Sequence, residues 1–151
     1  MIIGLICAFF VIIVDQLTKF LIYGTASKSI IGNLLWFEST LNTGVAFSWF
    51  EGKSWLFFII AIMASAFFVY LIISKKWLNG KFEKIAIGLI LGGTISNAVD
   101  RLVFHGVRDF IYLKFMNFAI FNLADFAITI GAILFCISIL FLRNKKKDDR
   151  T

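Results

Sequence analysis

Proline is absent from the 151 residues, histidine occurs once, and only two cysteines and nine acidic residues are present. Without proline, long helices can run uninterrupted. Cys7 and Cys136 both lie in apolar runs, where a thiol behaves as a small apolar side chain, so the sequence indicates neither a disulfide nor a metal site. Hydrophobic residues make up 60% of the chain and the mean hydropathy is +0.93, values that exclude an ordinary soluble domain. The composition predicts a membrane protein.

Four apolar stretches are long enough to cross a bilayer as helices, which takes about 20 residues each. They cover residues of about 2–23, 55–74, 85–104 and 124–142. The first stretch could instead be a secretory signal, but it has neither a preceding basic residue nor a small-residue cleavage site. The chain also has no internal repeat and no low-complexity linker. We therefore expect a mainly α-helical membrane protein with four transmembrane helices and a single domain, residues 1–151.

The net charge of +6 raises the possibility of nucleic-acid binding, but the basic residues flank the apolar stretches instead. Two groups stand out: Lys75, Lys76, Lys81 and Lys84 after the second stretch, and Arg143, Lys145, Lys146, Lys147 and Arg150 after the fourth. Segments rich in lysine and arginine stay on the cytoplasmic side of a membrane. This predicts cytoplasmic termini and two outer segments, residues 24–54 and about 105–123, and no nucleic-acid partner.

The first outer segment mixes β-branched and aromatic residues with turn-forming residues such as Gly32, Asn33 and Gly44. This pattern predicts short strands and a small extracytoplasmic sheet between the first two helices. Tryptophans suit the membrane interface, and this region and its border contain Trp36, Trp49 and Trp55. The second outer segment has apolar residues at both helical and strand spacings. We expect it to be an amphipathic segment on the bilayer, with its secondary structure left open.

Four of the nine acidic residues lie close to the predicted ends of helices: Asp15, Asp100, Asp109 and Asp125. With the predicted topology, all four belong to the outer side of the membrane. Carboxylates near membrane depth are costly unless they are paired, hydrated or functional. This convergence is the strongest functional signal in the sequence.

Structural explanations exist for two of the four carboxylates. Asp15 and Lys19 are spaced i,i+4 in the favourable order, so they can form an ion pair on one helix face. Asp100 shares a helix face with Asn97 and can be an ionised partner of a basic group at the membrane surface. Neither residue therefore requires a catalytic role.

Asp125 also has a structural explanation, but Asp109 does not. The letters "NLAD" are typical of a helix start, with Asn122 as the N-cap and Asp125 in the first turn, where the helix dipole favours negative charge. Asp109 stands between apolar residues in "VRDFI" and has no evident structural duty. Asp109 and Asp125 thus share no single structural explanation.

Five blocks of sequence occur in a recognisable order: "VDQLTK", "NTGVAFS", "SNAVDRL", "VRDFI" and "FNLAD". In their order and approximate spacing they resemble the lipoprotein signal peptidases, the bacterial type II signal peptidases, over nearly the whole chain. The chain departs from the usual pattern at Ser96, where the family commonly has glycine, and at Arg108, where it usually has valine. We expect Ser96 to affect the closeness of helix packing and Arg108 to shift the acidity of its neighbour Asp109.

The resemblance implies an intramembrane aspartyl protease whose catalytic carboxylates are Asp109 and Asp125. Two close carboxylates share one proton, so one can act as base and the other as acid, and the reaction requires no metal or cofactor. The resemblance also implies a set of supporting and substrate-binding residues: Asp15, Lys19, Asn42, Asn97, Asp100, Arg101 and Asn122. The implied substrate is a prolipoprotein whose cysteine carries diacylglycerol, cleaved on the amino side of that cysteine. We expect the chain to act as a monomer in the bacterial cytoplasmic membrane, in contact with membrane lipid.

Two other classes of protein also place polar residues among membrane helices. A small proton- or cation-coupled transporter usually needs its carboxylates near the middle of the bilayer, whereas three of these four lie at an outer end. A non-enzymatic assembly or lipid-binding protein explains the helices and aromatic loops. It gives no reason for the presence of both Asp109 and Asp125.

Overall fold

The computed structural model describes residues 2–44, 52–74, 78, 80–116 and 118–142. Its four helices are Ile2–Ile22 (α1), Ser54–Ile73 (α2), Lys81–Phe104 (α3) and Leu123–Ile137 (α4). A π-helical segment, Ser138–Leu142, continues α4. Helices α1, α2 and α3, and α4 extended by this segment to Leu140, are long and apolar enough to cross a membrane. The predicted four-helix membrane fold is confirmed, and most predicted helix ends agree to within one residue.

Helix α3 lies at the centre of the bundle, where it packs against α1, α2 and α4. Its mean hydropathy of 1.3 is the lowest of the four, compared with 2.2 for α1, 2.8 for α2 and 2.3 for α4. The central helix can be less apolar because its neighbours shield most of its surface from lipid. This position allows α3 to carry polar side chains towards α1 and α4.

Two adjacent glycines of α3 allow the helices on either side to approach closely. A Cβ atom on Gly92 would lie 2.6 Å from the carbonyl oxygen of Ala8 in α1. A Cβ atom on Gly93 would overlap the carbonyl oxygen of Ala124, in the first turn of α4. Small residues at such contacts are typical of membrane helix packing. Gly93 therefore fixes how closely α4 begins against α3.

The sheet has three antiparallel strands in the order β1, β2, β3, formed by Lys28–Ile31, Leu35–Asn42 and Val107–Leu113. Strands β1 and β2 confirm the sheet predicted in the first outer segment. Strand β3 and the short 3₁₀ turn Lys114–Met116 come from the second outer segment, whose secondary structure the sequence left open. That segment forms a strand because the edge of β2 supplies its hydrogen-bond partners. The sheet thus joins the segment between α1 and α2 to the segment between α3 and α4.

A β-bulge interrupts the pairing of β2 with β3. Phe37 lies opposite Ile111 and Thr40 opposite Asp109, so β2 contains one extra residue between these pairs. Beyond the bulge, Asn42 lies opposite Val107, which places Asn42 and Asp109 on the same face of the sheet. Bulges commonly re-aim side chains next to functional sites.

Of the predicted interfacial tryptophans, Trp36 lies in β2 and Trp55 is exposed in the first turn of α2. Trp49 lies outside the described residues. The same holds for Lys75, Lys76 and the basic residues after position 142. Both cysteines lie in helices as expected, Cys7 in α1 and Cys136 in α4.

Candidate active site

The first turn of α4 holds Asp125 in a fixed position. Asn122 is the N-cap, and its side-chain oxygen accepts a hydrogen bond of 3.0 Å from the N–H of Asp125. The Asp125 carboxylate in turn accepts one of 3.2 Å from the N–H of Asn122. This reciprocal arrangement is a capping box, which satisfies two helix-terminal donors at once. The predicted helix start is confirmed.

Strand β3 brings Asp109 next to this helix start. The N–H of Ile111 donates to the carbonyl oxygen of Phe121 at 2.7 Å, so the residue that follows, Asn122, lies beside β3. Asn122 donates its side-chain N–H to Asp109 at 2.6 Å, and Asn42 of β2 donates to the other oxygen of Asp109 at 3.1 Å. Asp109 is only 2% exposed. Its carboxyl group is therefore buried but hydrogen-bonded at both oxygens.

Asn97 of α3 connects the two carboxylates to a buried cation. Its Nδ2 donates to Asp125 at 2.8 Å. Its Oδ1 accepts from Nζ of Lys19 at 2.9 Å and from Asn122 at 3.2 Å. Because a cation and an amide fix its oxygen, the orientation of the Asn97 amide is determined. The contacts of Lys19 and Asn122 with the Asn97 oxygen thus orient its N–H group towards Asp125.

Asp15 lies behind these residues and is paired with a cation. Its carboxylate is 2.7 Å from Nζ of Lys19, which confirms the predicted i,i+4 pair. It also accepts from the hydroxyl of Ser96 at 2.6 Å and from the backbone N–H of Ala124 at 2.8 Å. Asp15 therefore anchors the first turn of α4 to α1. The serine, expected to affect helix packing, is fully buried there as a hydrogen-bond donor.

Asp100 is likewise neutralised by cations. Arg108 contacts it through Nη2 at 2.7 Å, through Nε at 3.3 Å and through its backbone N–H at 2.9 Å. Lys19 lies 3.2 Å from the same carboxylate, and Gln16 donates to it at 2.9 Å. The predicted pairing of Asp100 with a basic group is confirmed. Its main partner is Arg108 and not Arg101, the next residue in sequence.

Sequence reasoning missed Gln16 and assigned Arg108 a different task. Gln16 stands one residue after Asp15 in "VDQLTK", which is the one signal that could have identified it. The expectation that Arg108 directly shifts the acidity of Asp109 is wrong: its guanidinium group contacts Asp100 instead. Neighbouring side chains of a strand point to opposite faces, and the groups that act on the pKa of Asp109 do not include Arg108.

Asp109 and Asp125 differ from Asp15 and Asp100 in the charge of their partners. Within the described ranges, Asp109 and Asp125 accept hydrogen bonds only from neutral amides, and neither forms a salt bridge. Burial, followed by the nearby charge of Asp125, raises the pKa of Asp109 to about 7, although the hydrogen bonds from Asn42 and Asn122 lower it in part. Near neutral pH, the Asp109 carboxyl group is therefore about half protonated.

A cavity of about 540 Å³ opens onto both unpaired carboxylates. Its polar lining includes Asn42, Asn97, Arg101, Asp109 and Asp125. Most of the remaining lining is apolar: Val107, Leu113, Met116, Phe118, Ala119, Ile120, Phe121, Phe126 and Ile128. The cavity thus combines a polar floor, where proton transfer can occur, with walls suited to hydrocarbon.

Arg101 lines this cavity, and part of its guanidinium group makes no hydrogen bond to the described residues. Its Nη1 makes one long hydrogen bond of 3.5 Å to the carbonyl oxygen of Asn97, and its Nε has no hydrogen-bond partner among the described residues. Its guanidinium carbon lies 5.8 Å from the ring centre of Phe57. All nine residues singled out from the sequence therefore lie around this site. Five form one hydrogen-bonded group, three are ionic supports behind it, and Arg101 lines the cavity.

Fold and site together define a class: a multi-pass membrane protein with two buried, hydrogen-bonded carboxylates that open onto one largely apolar cavity. Comparison with known proteins places it within that class. Residues 7–141 match the family described as signal peptidase II. The chain belongs to this family.

Similar proteins agree with this assignment. A lipoprotein signal peptidase of Shouchella clausii (strain KSM-K16) is 41% identical over 150 residues, which are 96% of this chain and 98% of the relative. One of Lactobacillus johnsonii (strain CNCM I-12250 / La1 / NCC 533) is 41% identical over 145 residues, 93% and 94% of the two chains.

Two solved structures described as bacterial membrane enzymes share the fold. The first has a TM-score of 0.82 and 36% sequence identity, and the match covers 95% of this chain and 90% of that structure. The second has a TM-score of 0.81 and 37% identity, and the match covers 91% of this chain and 92% of that structure. The chain is thus a membrane-bound peptidase of the signal peptidase II family. The transporter interpretation finds no support.

Proposed function

We propose that Asp109 and Asp125 are the catalytic dyad of an aspartic endopeptidase. The observation that supports this choice is the division among the four aspartates: Asp15 and Asp100 are neutralised by lysine and arginine, whereas Asp109 and Asp125 have only neutral donors. A carboxylate locked in an ion pair cannot readily exchange a proton. The two without cations also line the same cavity.

The dyad shares one proton between its two carboxyl groups. The ionised member takes a proton from a water molecule, which attacks the scissile carbonyl carbon, while the protonated member donates a hydrogen bond to the carbonyl oxygen. The resulting tetrahedral diol collapses when the leaving amine receives a proton. A pKa of about 7 for Asp109 suits the protonated role at neutral pH. Asp125, at the positive end of the α4 dipole, suits the ionised role.

The remaining polar residues serve as supports. Asn42, Asn97 and Asn122 each donate to one of the two carboxylates and so fix their orientation before substrate arrives. Arg101, with its unpartnered Nε, is suited to bind a carbonyl oxygen of the substrate backbone. Lys19, with Asp15 and Asp100, holds the helices that carry these groups.

The substrate class follows from family membership and from the cavity walls. The relatives carry the name lipoprotein signal peptidase, and most of the cavity lining is apolar. We infer a prolipoprotein whose cysteine bears diacylglycerol, cleaved on the amino side of that cysteine. The lipid chains would lie along the apolar walls, while the peptide bond reaches the polar floor. A single chain holds every group this reaction uses, which favours action as a monomer.

Orientation in the membrane follows from the basic residues. Lys81 and Lys84 lie in the first turn of α3, at the opposite end of that helix from Asp100 and Arg101. The positive-inside rule assigns the lysine end to the cytoplasm. Both chain termini are then cytoplasmic, and the sheet and the dyad lie at the outer face, where water and a lipidated precursor meet.

The assignment of the dyad is tested by Asp109→Asn and Asp125→Asn. Each should reduce cleavage of a lipidated precursor peptide by purified enzyme in detergent by more than about a thousandfold, because an amide cannot share the proton of the dyad. Each variant should still insert into the membrane and fold, because asparagine keeps the shape of the side chain. Melting curves in detergent check the folding.

Asp100→Asn is the matched control, since it alters a neighbouring carboxylate that is already neutralised. It should lower stability and retain measurable cleavage. If Asp100→Asn were completely inactive while Asp109→Asn cleaved normally, the assignment of the catalytic residues would be wrong.

A further inference from the structure

Arg108 is buried directly behind the proposed dyad, on the face of β3 opposite to Asp109. Its side chain is 7% exposed and forms a two-pronged contact with Asp100, while its Nη2 also donates to Oε1 of Gln16 at 2.7 Å. Its guanidinium carbon lies 4.2 Å from the ring centre of Phe104. A planar guanidinium satisfies all these contacts at once, which an ammonium group cannot do.

Arg108 completes the charge balance of a buried group of four side chains, which we term the ion cluster: Asp15, Lys19, Asp100 and Arg108. The cluster contains two carboxylates and two cations, so its net charge is zero. Without Arg108, Lys19 alone would face both carboxylates and the cluster would carry one negative charge. An uncompensated negative charge near a carboxyl group disfavours its ionised form.

Lys19 transmits this balance to the dyad. Its Nζ contacts Asp15 at 2.7 Å and Asp100 at 3.2 Å, and it donates at 2.9 Å to the Asn97 oxygen. Asn97 in turn donates to Asp125. If Asp100 lost Arg108, it would draw Lys19 away from Asn97, which would loosen the amide that holds Asp125.

Arg108 also fixes the backbone beside Asp109. Its N–H donates to Asp100 at 2.9 Å, so one carboxylate holds both the main chain and the side chain of Arg108. Asp109 is the next residue along the strand. The position of its carboxyl group therefore depends on an anchor in α3, and small displacements of reacting groups cost up to about a hundredfold in rate.

We propose that Arg108, supported by Gln16, is a positioning residue of the peptidase: it keeps the ion cluster neutral and thereby sets the pH range in which the dyad shares its proton. This inference rests on the proposed function of Asp109 and Asp125. It assigns the arginine to catalysis through Asp100, Lys19 and Asn97, without contact with the substrate.

The pH dependence of the dyad involves charges from every element packed around it. Asp125 of α4 and Lys19 of α1 act directly on Asp109, and Asp15 acts on Asp125. Arg101 of α3 interacts with both carboxylates, whereas Arg108 of β3 acts through its contact with Asp100. Without Arg108, Asp100 would hold Lys19 more strongly, and the charge of Lys19, which lowers the pKa of Asp109, would favour the ionised dyad less. The acidic limb of the kcat/KM profile should then move to higher pH.

The test measures that limb on intact enzyme with a lipidated precursor peptide. Arg108→Gln should move it upward by roughly half to one pH unit and lower kcat. The double variant Arg108→Gln/Asp100→Asn makes the cluster neutral again and should return the limb to the wild-type pH. Lys28→Gln is the control: it removes a positive charge from the exposed strand β1, outside the ion cluster, and should leave the limb in place.

An unchanged limb in Arg108→Gln, or a limb that stays displaced in the double variant, would overturn the inference. If Arg108→Gln did not fold, the test would use Arg108→Lys and the double variant. Both keep the ion cluster neutral, so both should show the acidic limb at the wild-type pH. Arg108→Lys should have a lower kcat, because an ammonium group cannot make the two-pronged contact with Asp100. A wild-type enzyme that failed to cleave the lipidated precursor at any pH would contradict the proposed function itself.

Discussion

A carboxyl group buried beside a membrane is stabilised either by a cation or by a proton. Asp15 and Asp100 have cations, and both oxygens of each are occupied by charged or polar donors. Asp109 has no cation and instead a pKa of about 7. At the scale of single residues, the four carboxyl groups thus differ in what offsets the cost of their burial. This difference is also the basis on which we propose Asp109 and Asp125, and not Asp15 and Asp100, as the catalytic pair.

The raised pKa of Asp109 predicts a stability cost above neutral pH. In the folded protein this group keeps its proton up to a pKa of about 7, whereas its ordinary value is 3.8. Its contribution to stability is therefore complete below pH 4 and is lost as the pH rises through 7. Asp109→Asn cannot ionise, so it should melt at a higher temperature than the wild type at pH 8 and gain little at pH 4.5.

The size of this gain is bounded by about 1.4 kcal/mol per pH unit, which gives a few kcal/mol at most. Asp100→Asn provides the opposite expectation: it breaks a buried ionic contact with Arg108 and should melt at a lower temperature at pH 8. A lower melting temperature of Asp109→Asn at pH 8 would contradict the proposed balance between burial and charge.

Single residues near helix ends were predictable from the sequence because their contacts are local. The pair of Asp15 with Lys19 and the N-cap Asn122 follow from spacings of three or four residues. The link between Arg108 and Gln16 spans 92 positions and depends on which face of β3 turns towards α1. No local pattern determines that face.

At the scale of elements, the start of α4 is the point where three parts of the fold meet. Asn122 caps the helix from within, Asp15 of α1 accepts from Ala124, and Gly93 of α3 lies against the Ala124 carbonyl oxygen. Asp125 belongs to the same turn. The position of the proposed catalytic group thus depends on how closely α3 and α4 approach.

Gly93→Ala tests this dependence. The added methyl group would overlap the backbone oxygen of Ala124 and lie 2.7 Å from Ile128, so α4 must move away from α3. Overpacking of this kind costs about 1–3 kcal/mol, and the displaced Asp125 should also slow cleavage. The control is Leu102→Ala on the exposed side of the same helix. Melting temperature and turnover equal to those of the control would show that the contact is not tight.

The helices were predictable as elements, whereas strand β3 was not. Long apolar runs indicate membrane helices from composition alone, and both ends of α1 and α2 lie within one residue of the expected ones. The segment that contains β3 has apolar residues at both periods, so its structure depends on pairing with β2, about 70 positions away. The bulge that places Asn42 beside Asp109 depends on the same pairing.

At the scale of the whole molecule, the direction of insertion follows from charge. A reporter fused after Thr151 should be cytoplasmic, and one inserted near Gly52 should be external, because the lysines at the start of α3 favour the inner side. Phosphatase and fluorescent reporters distinguish the two sides. An external reporter at Thr151 would place the dyad at the inner face and contradict the proposed orientation.

The apolar cavity predicts that the lipid on the substrate does more than concentrate it in the membrane. The comparison uses two precursors held in the bilayer by the same signal helix, with and without diacylglycerol on the cysteine. The lipidated form should be cleaved faster, by up to about a hundredfold, because lipid bound along the apolar walls fixes the scissile bond at the dyad. Equal turnover of the two would indicate a membrane peptidase of broader specificity.

The hydrogen bond between Asp15 and Ala124 joins positions 109 residues apart, so the first helix and the last are both needed to complete the site. During synthesis, Asp15 of α1 leaves the ribosome well before Asp125 of α4. Until α4 enters the membrane, the nascent protein has no second carboxylate and its supports have nothing to hold. If the proposed dyad is correct, the peptidase cannot cleave neighbouring membrane proteins before its own helix α4 has been inserted.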